Sequence, residues 1–220
     1  MTPAPSTNPV LARHYFENRG PIAFLDESYS ADPHHGATFY IVSAVIVESD
    51  QVDPLRDGLD ELVPQAWWHT TDELQTVSGR TRAQELLAYL ADGKEACVVT
   101  HQEPLASDDK DGEAPRRSVL CAMFGHLWNR PASDGGQVHL AVLEERRELR
   151  QRRADMATRA HALNEGLCGP AFRLIQVSPA HEHLLWLPDL TCSAYRRKIL
   201  QGDERYFATI ESMSTIVQLR

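Results

Sequence analysis

Apolar positions along the chain follow two different periods, and the segments that carry these periods alternate. The run "TFYIVSAVIV", residues 38–47, is almost entirely β-branched, aromatic or small, which predicts a strand buried on both faces. A shorter apolar run at 22–25 precedes it, and the polar stretch 28–37 separates the two runs. A gap this short predicts an antiparallel hairpin.

The remainder of the chain continues this exchange between helical spacing and extended runs. Leucines at helical spacing follow Asp53-Pro54, and Thr81 with Gln84 forms a capping box. The predicted helices cover 53–63, 81–93, 120–128, 156–167 and 188–201. The further predicted strands cover 96–102 and 137–145, and the segments 172–178 and 181–187 supply one or two more. The very polar stretch 107–117 is predicted to be a surface loop.

The alternation of elements predicts an α/β fold. We expect a single domain over residues 21–220, in which the hairpin opens a mixed central sheet and helices cover its faces. The first 20 residues contain Pro3, Pro5 and Pro9 among serine and threonine. We therefore expect residues 1–20 to form a flexible arm.

Composition limits the classes of partner and compartment. The chain has 220 residues and a formal net charge of −9, which repels polyanions unless basic side chains gather locally or metal ions intervene. The sequence contains no apolar stretch long enough for a signal peptide or a membrane span, so we expect no membrane association. Its four cysteines lie far apart without a C-x-x-C pair. This spacing predicts free thiols, no structural zinc and a cytoplasmic protein.

Carboxylates occur at the ends of predicted elements in three distant parts of the chain. Asp26 follows the first strand, Glu144 and Glu145 end a central strand, and Asp189 lies in the opening turn of the last helix. Sites in α/β sheets gather at the edge where strands end and helices begin, so we expect these carboxylates to converge. Their mutual repulsion would require a cation, and an all-oxygen ligand set favours Mg²⁺ or Mn²⁺ over zinc.

Alternatives remain open at these acidic ends. The segment "FLDESYS", residues 24–30, is also typical of a turn in which Asp and Ser side chains bond to their own backbone. In the second acidic end, strand alternation places Glu144 on one face with Val138 and Val142, which favours Glu144 as the inward carboxylate. Glu145 together with Arg147 is the alternative.

An arginine-rich stretch, "RRELRQRRADMATR" at 146–159, begins immediately after the second acidic end. Guanidinium groups match phosphate oxygens, so the stretch predicts a track for a nucleic-acid backbone. A solvated helix face paired with Glu148 and Asp155 explains the same pattern. Two further arginines, at 196 and 197, extend the track or complement the carboxyl end of their own helix. The predicted nucleic-acid-binding residues are Arg146, Arg147, Arg150, Arg152, Arg153, Arg196 and Arg197.

Histidine and tryptophan patterns have a functional and a structural explanation. In "HEH", His181 and His183 would supply two zinc ligands, but no matched third ligand accompanies them. The pair Trp67-Trp68 can stack on bases, whereas adjacent large aromatics at a helix end are more often packed in a core. We therefore expect no zinc site and favour packing for the tryptophans.

Several short motifs occur in an order that is informative as a whole. They are "AFLDES" before the strand "TFYIVSAVIV", "WWHTTDEL" after the first predicted helix, "VLEERR", and "LLWLPDLTCSAYRR" near the end. Together they resemble the domain of unknown function 3800 family, bacterial proteins with a ribonuclease H-like fold, over about Ile22 to Leu200. Two positions depart from the family pattern, Tyr29 in place of glycine and Pro188 in place of alanine.

The resemblance implies a ribonuclease H-like fold and a nuclease that hydrolyses phosphodiester bonds of DNA or RNA with two divalent ions, Mg²⁺ or Mn²⁺. The implied catalytic residues are Asp26, Glu27, Glu144 and Asp189, and the implied metal ligands among them are Asp26, Glu144 and Asp189. The implied accessory residues are Ser28, His69 and Glu145. Nucleic acid is the expected partner. The alternative is a catalytically inactive module of the same fold that binds nucleic acid or a protein.

Overall fold

The computed structural model describes residues 9–30, 34, 37–64, 67–106 and 111–219. The strands in these residues are β1 Ile22–Ser30, β2 Phe39–Val47, β3 Ala96–Gln102, β4 Leu140–Glu144, β5 Arg173–Val177 and β6 Ser214–Leu219. The helices are α1 Pro9–Glu17, α2 Val52–Leu62, α3 Thr70–Glu73, α4 Val77–Asp92, α5 Glu113–Trp128, α6 Leu149–Asn164, α7 Trp186–Gln201 and α8 Phe207–Ile210.

The described strands form one mixed sheet in the order β5-β4-β1-β2-β3-β6. At its centre β1 and β2 pair antiparallel along their whole length, which confirms the predicted hairpin. Strand β3 is antiparallel to β2, whereas β4 is parallel to β1 and β5 is parallel to β4. Strand β6, which the sequence pattern did not predict, adds parallel to β3 at the outer edge. The predicted α/β architecture with a mixed central sheet is therefore confirmed.

Helices cover both faces of the sheet, and each face has its own apolar core. Ile22 and Phe24 of β1 point into a core shared with α2, α4, α7 and α8. Ala23 and Leu25 point into a second core shared with α5 and α6. Burial on both sides explains why β2 is apolar at nearly every position. None of the helices in the described residues has the length and the apolar composition needed to cross a membrane.

Helix α7 is fixed against the central hairpin by two hydrogen bonds. The hydroxyl of Ser43 donates to the carbonyl of Pro188 at 2.7 Å, and the thiol of Cys192 donates to the carbonyl of Asp26 at 3.4 Å. Pro188 lies in the first turn, where its missing N–H is not needed. The helix ends at Gly202, whose φ of +64° is favourable for glycine. The predicted helix 188–201 is thus confirmed, with an earlier start at Trp186.

One predicted boundary is wrong, and one open alternative is settled by the structure. Helix α4 begins before the proposed capping box, because the side chain of Thr76 accepts a hydrogen bond from the N–H of Gly79 at 2.9 Å and caps the helix there. Of the segments 172–178 and 181–187, only the first contains a strand, β5. In the second segment, His183–Leu185 form a 3-10 turn that runs into α7, and the carboxylate of Glu182 caps this turn by accepting from the N–H of Leu184.

The polar stretch 107–117 is a surface loop only in part. Residues 107–110 lie outside the described residues, and α5 already begins at Glu113. Arg116 in the first turn of this helix is 1% exposed. A charged residue can be buried this deeply only with partners, and its partners belong to the candidate site described below.

The expectation of a flexible arm over residues 1–20 is wrong for α1. Leu11 of this helix is buried in the first core. The hydroxyl of Tyr15 donates to the buried carboxylate of Glu182 at 2.6 Å, and Glu17 pairs with Arg173 at 3.2 Å. Residues 1–8 lie outside the described residues.

Candidate active site

A cleft of about 590 Å³ opens at the edge of the sheet where β1 and β4 separate. The two strands are paired only as far as Leu25 and Leu143, so Asp26 and Glu144 are the first residues beyond the shared ladder. Asp189 of α7 lines the same cleft. Three carboxylates that are distant in sequence therefore meet where β4 ends, beside the middle of β1, which continues to Ser30. The carboxyl end of a parallel strand is a common ligand-binding position in α/β sheets.

Strand alternation explains why two of these carboxylates share a face. Phe24 and Val142 belong to the core beneath α7. Asp26 and Glu144 are each two residues further along their strands, so their side chains lie on the same side of the sheet. The predicted grouping of Val138 with this face is wrong, because β4 begins only at Leu140 and Val138 packs in the opposite core.

Each carboxylate has a specific hydrogen-bond environment. The side chains of Asp26 and Glu144 lie within hydrogen-bonding reach of each other, and one of the two must carry a proton for that bond to form. Asp189 accepts a hydrogen bond at Oδ2 from the N–H of Thr70 at 3.1 Å. Thr70 is the first residue of α3, so its N–H has no partner within the helix. Its hydroxyl accepts from the indole N–H of the buried Trp68 at 2.8 Å, which fixes the position of the donor.

Burial and mutual repulsion disfavour the charged forms of these acids. Burial raises the pKa of Asp26 well above its usual range, and the charges of Asp189, Glu144 and Glu27 raise it further. Burial together with the charge of Glu27 raises the pKa of Glu144 to about 7. Burial also raises the pKa of Asp189, although the hydrogen bonds from Thr70 oppose this change. A cation in the cleft would reverse these shifts.

We expect the stability of the metal-free protein to fall as the pH rises from about 5 to about 8. The pKa of Glu144 is about 7 in the folded chain and 4.5 in its ordinary range, so between these values the folded state holds a proton that the unfolded state has lost. Raising the pH removes this proton and its stabilisation. In chelator, the free energy of unfolding of the Glu144→Gln variant should therefore decrease by roughly 2 kcal/mol less than that of wild type over this pH range. This figure is reduced from the full pKa difference because Glu144 is partly exposed.

Urea denaturation at several pH values measures this effect. Glu85→Gln, at an exposed position of α4 away from the cleft, is the matched control and should keep the wild-type dependence. An equal pH dependence in wild type and Glu144→Gln would show that Glu144 titrates normally in the folded chain.

Glu27 lines the cleft but is turned toward a buried arginine. Arg116 contacts Glu27 Oε1 at 2.6 Å and donates to the two carboxylate oxygens of Asp155 at 2.7 and 3.0 Å. It also donates to the hydroxyl of Tyr40 at 2.9 Å. Sequence reasoning missed Arg116 and considered Asp155 only as a partner on a solvated helix face, whereas Asp155 is buried. The two residues together tie β1, β2, α5 and α6 into one network beside the cleft.

The three accessory residues all line the cleft, each with a different partner. Ser28 Oγ accepts from a guanidinium nitrogen of Arg196 at 3.4 Å. His69 Nδ1 lies 2.9 Å from Asp72 Oδ2. Glu145 points away from the Glu144 face and forms an ion pair with Arg152 of α6.

The predicted arginine track divides into different environments. Arg147 and Arg196 line the cleft, as does Arg146, whose guanidinium is paired with Glu113 at 3.1 Å. Arg152 and Arg197 are also engaged, with Glu145 and with Asp203 respectively. Among the arginines of the predicted track, all of which lie in the described residues, those that are exposed and have no ion pair are Arg147, Arg150 and Arg153. Most of the unpaired positive charge of the track therefore lies just before and within the first turns of α6.

The tryptophan pair and the "HEH" segment each have mixed outcomes. Trp68 is buried as expected, but Trp67 is 54% exposed and lines the cleft.

The two histidines of the "HEH" segment lie in different environments. His183 lies 2.6 Å from Asp60 and stacks on Trp186, whereas His181 is exposed. All four cysteines are free, as the sequence predicts.

The donor chemistry of the cleft fits a hard divalent cation. Asp26, Glu144 and Asp189 offer only oxygen ligands, and their burial without a cation is unfavourable. Within the described residues, however, no three or more His, Cys, Asp or Glu side chains are grouped as a formed metal site. Asp26 and Glu144 are instead hydrogen-bonding partners of each other, and Asp189 accepts a hydrogen bond from Thr70.

Comparison of the chain with protein-family models, with curated proteins and with solved structures gave no match in any of the three. What the fold and the cleft define directly is an α/β protein with a six-stranded mixed sheet and an acidic cleft at the carboxyl end of β4, beside the middle of β1.

Proposed function

We propose that this protein is a divalent-metal-dependent nuclease that hydrolyses phosphodiester bonds in the acidic cleft. The observation that carries the proposal is the convergence of Asp26, Glu144 and Asp189 from three distant segments into one cleft. Burial raises the pKa values of all three acids, and repulsion by neighbouring carboxylates raises those of Asp26 and Glu144 further, so the arrangement is costly unless a cation binds there. Carboxylate-held Mg²⁺ or Mn²⁺ is a common solution for phosphoryl chemistry.

The residues of the cleft have distinct roles in this proposal. Asp26, Glu144 and Asp189 would hold the metal, which supplies an activated water and stabilises charge on the leaving oxygen. Arg147 and Arg196 would bind phosphate oxygens through their guanidinium groups. His69, at the exposed side of the cleft, would accept or return a proton, with Asp72 orienting its ring.

We further propose a ribonuclease H-like fold and kinship with the domain of unknown function 3800 family. The antiparallel series β3-β2-β1, extended by β4 and β5 parallel to β1, supports this assignment. The motifs that carry the resemblance also support it, because the acids of "LDES", "VLEE" and "LPDL" all line the same cleft.

A cleavage assay on the purified protein tests the proposed activity. Single-stranded, double-stranded and hybrid substrates should be tested, and at least one of them should be cut in Mg²⁺ or Mn²⁺ and left intact in chelator. The activity should co-elute with the protein. Absence of cleavage on every nucleic acid, combined with no binding of either ion by calorimetry, would contradict the proposal.

The alternative proposal is an inactive binding module of the same fold. It is favoured by the contact of Asp26 with Glu144, because two carboxyl groups that share a proton can be buried together without a cation. Titration calorimetry separates the two proposals. Nucleic-acid binding without turnover at saturating Mg²⁺ or Mn²⁺ would favour the module, whereas metal-dependent turnover would exclude it.

A further inference from the structure

We infer that the cleft recognises single-stranded nucleic acid by stacking unpaired bases on Tyr29 and Trp67. The inference rests on the proposed function and names its class of substrate. Among the described residues, the exposed aromatic side chains are Phe16, Tyr29 and Trp67. Tyr29 is 49% exposed and Trp67 is 54% exposed, and both line the cleft that holds the carboxylates.

Tyr29 is held in a fixed orientation. Its ring stacks on Tyr40 with the centroids 5.0 Å apart and the planes 8° from parallel. Tyr40 is itself fixed, because its hydroxyl accepts a hydrogen bond from the buried Arg116 at 2.9 Å. A ring that is already ordered loses little side-chain entropy when a base stacks on it. About half of Tyr29 is exposed, so the residue can accept such a base.

Trp67 is connected to the carboxylates through a short rigid segment. The next residue, Trp68, is 2% exposed and donates its indole N–H to the hydroxyl of Thr70. Thr70 in turn donates its backbone N–H to Asp189. A base stacked on Trp67 would therefore lie beside the acids at which hydrolysis is proposed.

The distribution of charge favours a single strand over a duplex. Arg146, Arg152 and Arg197 are already paired with carboxylates. The arginines of the track that remain without an ion pair in the described residues are too few to neutralise both backbones of a long duplex; they are Arg147, Arg150, Arg153 and Arg196. Arg147 and Arg196 in the cleft suffice for contacts with one or two phosphates of a flexible strand. The faces of paired bases are covered by their neighbours, and only unpaired bases can stack on exposed rings.

Fluorescence anisotropy in the presence of Ca²⁺ tests the inference. The labelled ligands are 12-mers of single-stranded DNA, single-stranded RNA and duplex DNA. Trp67→Ala and Tyr29→Ala should each weaken binding of a single strand by about 10-fold and leave the weaker duplex binding unchanged. Trp67→Phe, which retains a stacking ring, should restore most of the loss. Phe16→Ala, an exposed ring on α1 away from the cleft, is the matched control and should bind as wild type does.

The outcomes distinguish this inference from the proposed function. Single-strand affinity that is unchanged in Trp67→Ala and Tyr29→Ala, or a wild-type preference for duplex, would overturn base stacking while metal-dependent cleavage stands. Wild-type protein that neither binds nor cuts any nucleic acid would overturn both. Thermal denaturation of each variant identifies any loss of binding that arises from unfolding, and the binding of Trp67→Phe then decides the result.

Discussion

Substitution of methionine for Arg116 is expected to lower the free energy of unfolding by about 3 to 5 kcal/mol. The guanidinium of Arg116 contacts Asp155, Glu27 and Tyr40, and the residue is only 1% exposed. Methionine fills much of the same volume but leaves the buried carboxylate of Asp155 without its main partner. An uncompensated buried charge costs more than the hydrogen bonds that are lost.

Urea denaturation and calorimetry measure this change, which should correspond to a fall in melting temperature of about 10 °C for a chain of this size. Arg153→Met, an exposed position of α6 without an ion pair in the described residues, should change stability by less than about 0.5 kcal/mol. The double variant Arg116→Met with Asp155→Leu should recover part of the loss, because the unpaired charge is removed. A loss below about 1 kcal/mol for Arg116→Met would show that the network contributes little.

Arg116 illustrates why part of the candidate site could not be predicted from the sequence. It lies in the stretch 107–117, whose composition indicates a loop, and a buried arginine adds nothing to an apolar period. Its partners Glu27 and Asp155 come from β1 and α6, so only the folded arrangement brings them together. No local pattern indicates such a network before the topology is known.

Helix α6, which carries Asp155, shows the same limit of prediction from sequence. Apolar spacing correctly predicts a helix but marks it by Met156, Ala160, Leu163 and Leu167. Of these, Leu163 packs against the second core, Met156 is 43% exposed, and Leu167 is 37% exposed and lies beyond the end of α6 at Asn164. The residues that are buried are Asp155, Thr158 and Ala162. The inward face carries the charged partner of Arg116 and small residues that permit close packing on α5, so hydrophobicity is a poor guide to its orientation.

The hairpin and the acidic edge were predictable because each depends on a short-range rule. An almost unbroken apolar run preceded by a shorter one sufficed for β1 and β2, and strand alternation selected the side of the sheet on which Glu144 lies. The rule that sites gather at the carboxyl ends of strands then brought Asp26 and Asp189 together. Strand β6 escaped prediction because its pattern is mixed and its partner β3 is more than 100 positions earlier in the chain.

Replacement of Asp26 by asparagine is expected to reduce metal-dependent cleavage by about a thousandfold. Asparagine keeps the shape of the side chain and can still hydrogen-bond to Glu144, but it removes one negative charge from the proposed metal ligands. A thousandfold decrease corresponds to about 4 kcal/mol of transition-state stabilisation, within what a catalytic metal supplies. In chelator the variant should melt at the same temperature as wild type or higher, because a buried repulsive charge is gone.

Initial cleavage rates and melting temperatures in Mg²⁺ and in chelator measure both effects. Asp92→Asn, at the exposed end of α4 and away from the cleft, should match wild type in both. The stabilisation that Mg²⁺ gives to wild type should shrink in Asp26→Asn, since binding to the folded state alone produces it. A variant that cleaves at the wild-type rate would exclude Asp26 from the metal site. A variant that loses stability in both solutions would instead assign the carboxylate of Asp26 to holding the central hairpin against α7.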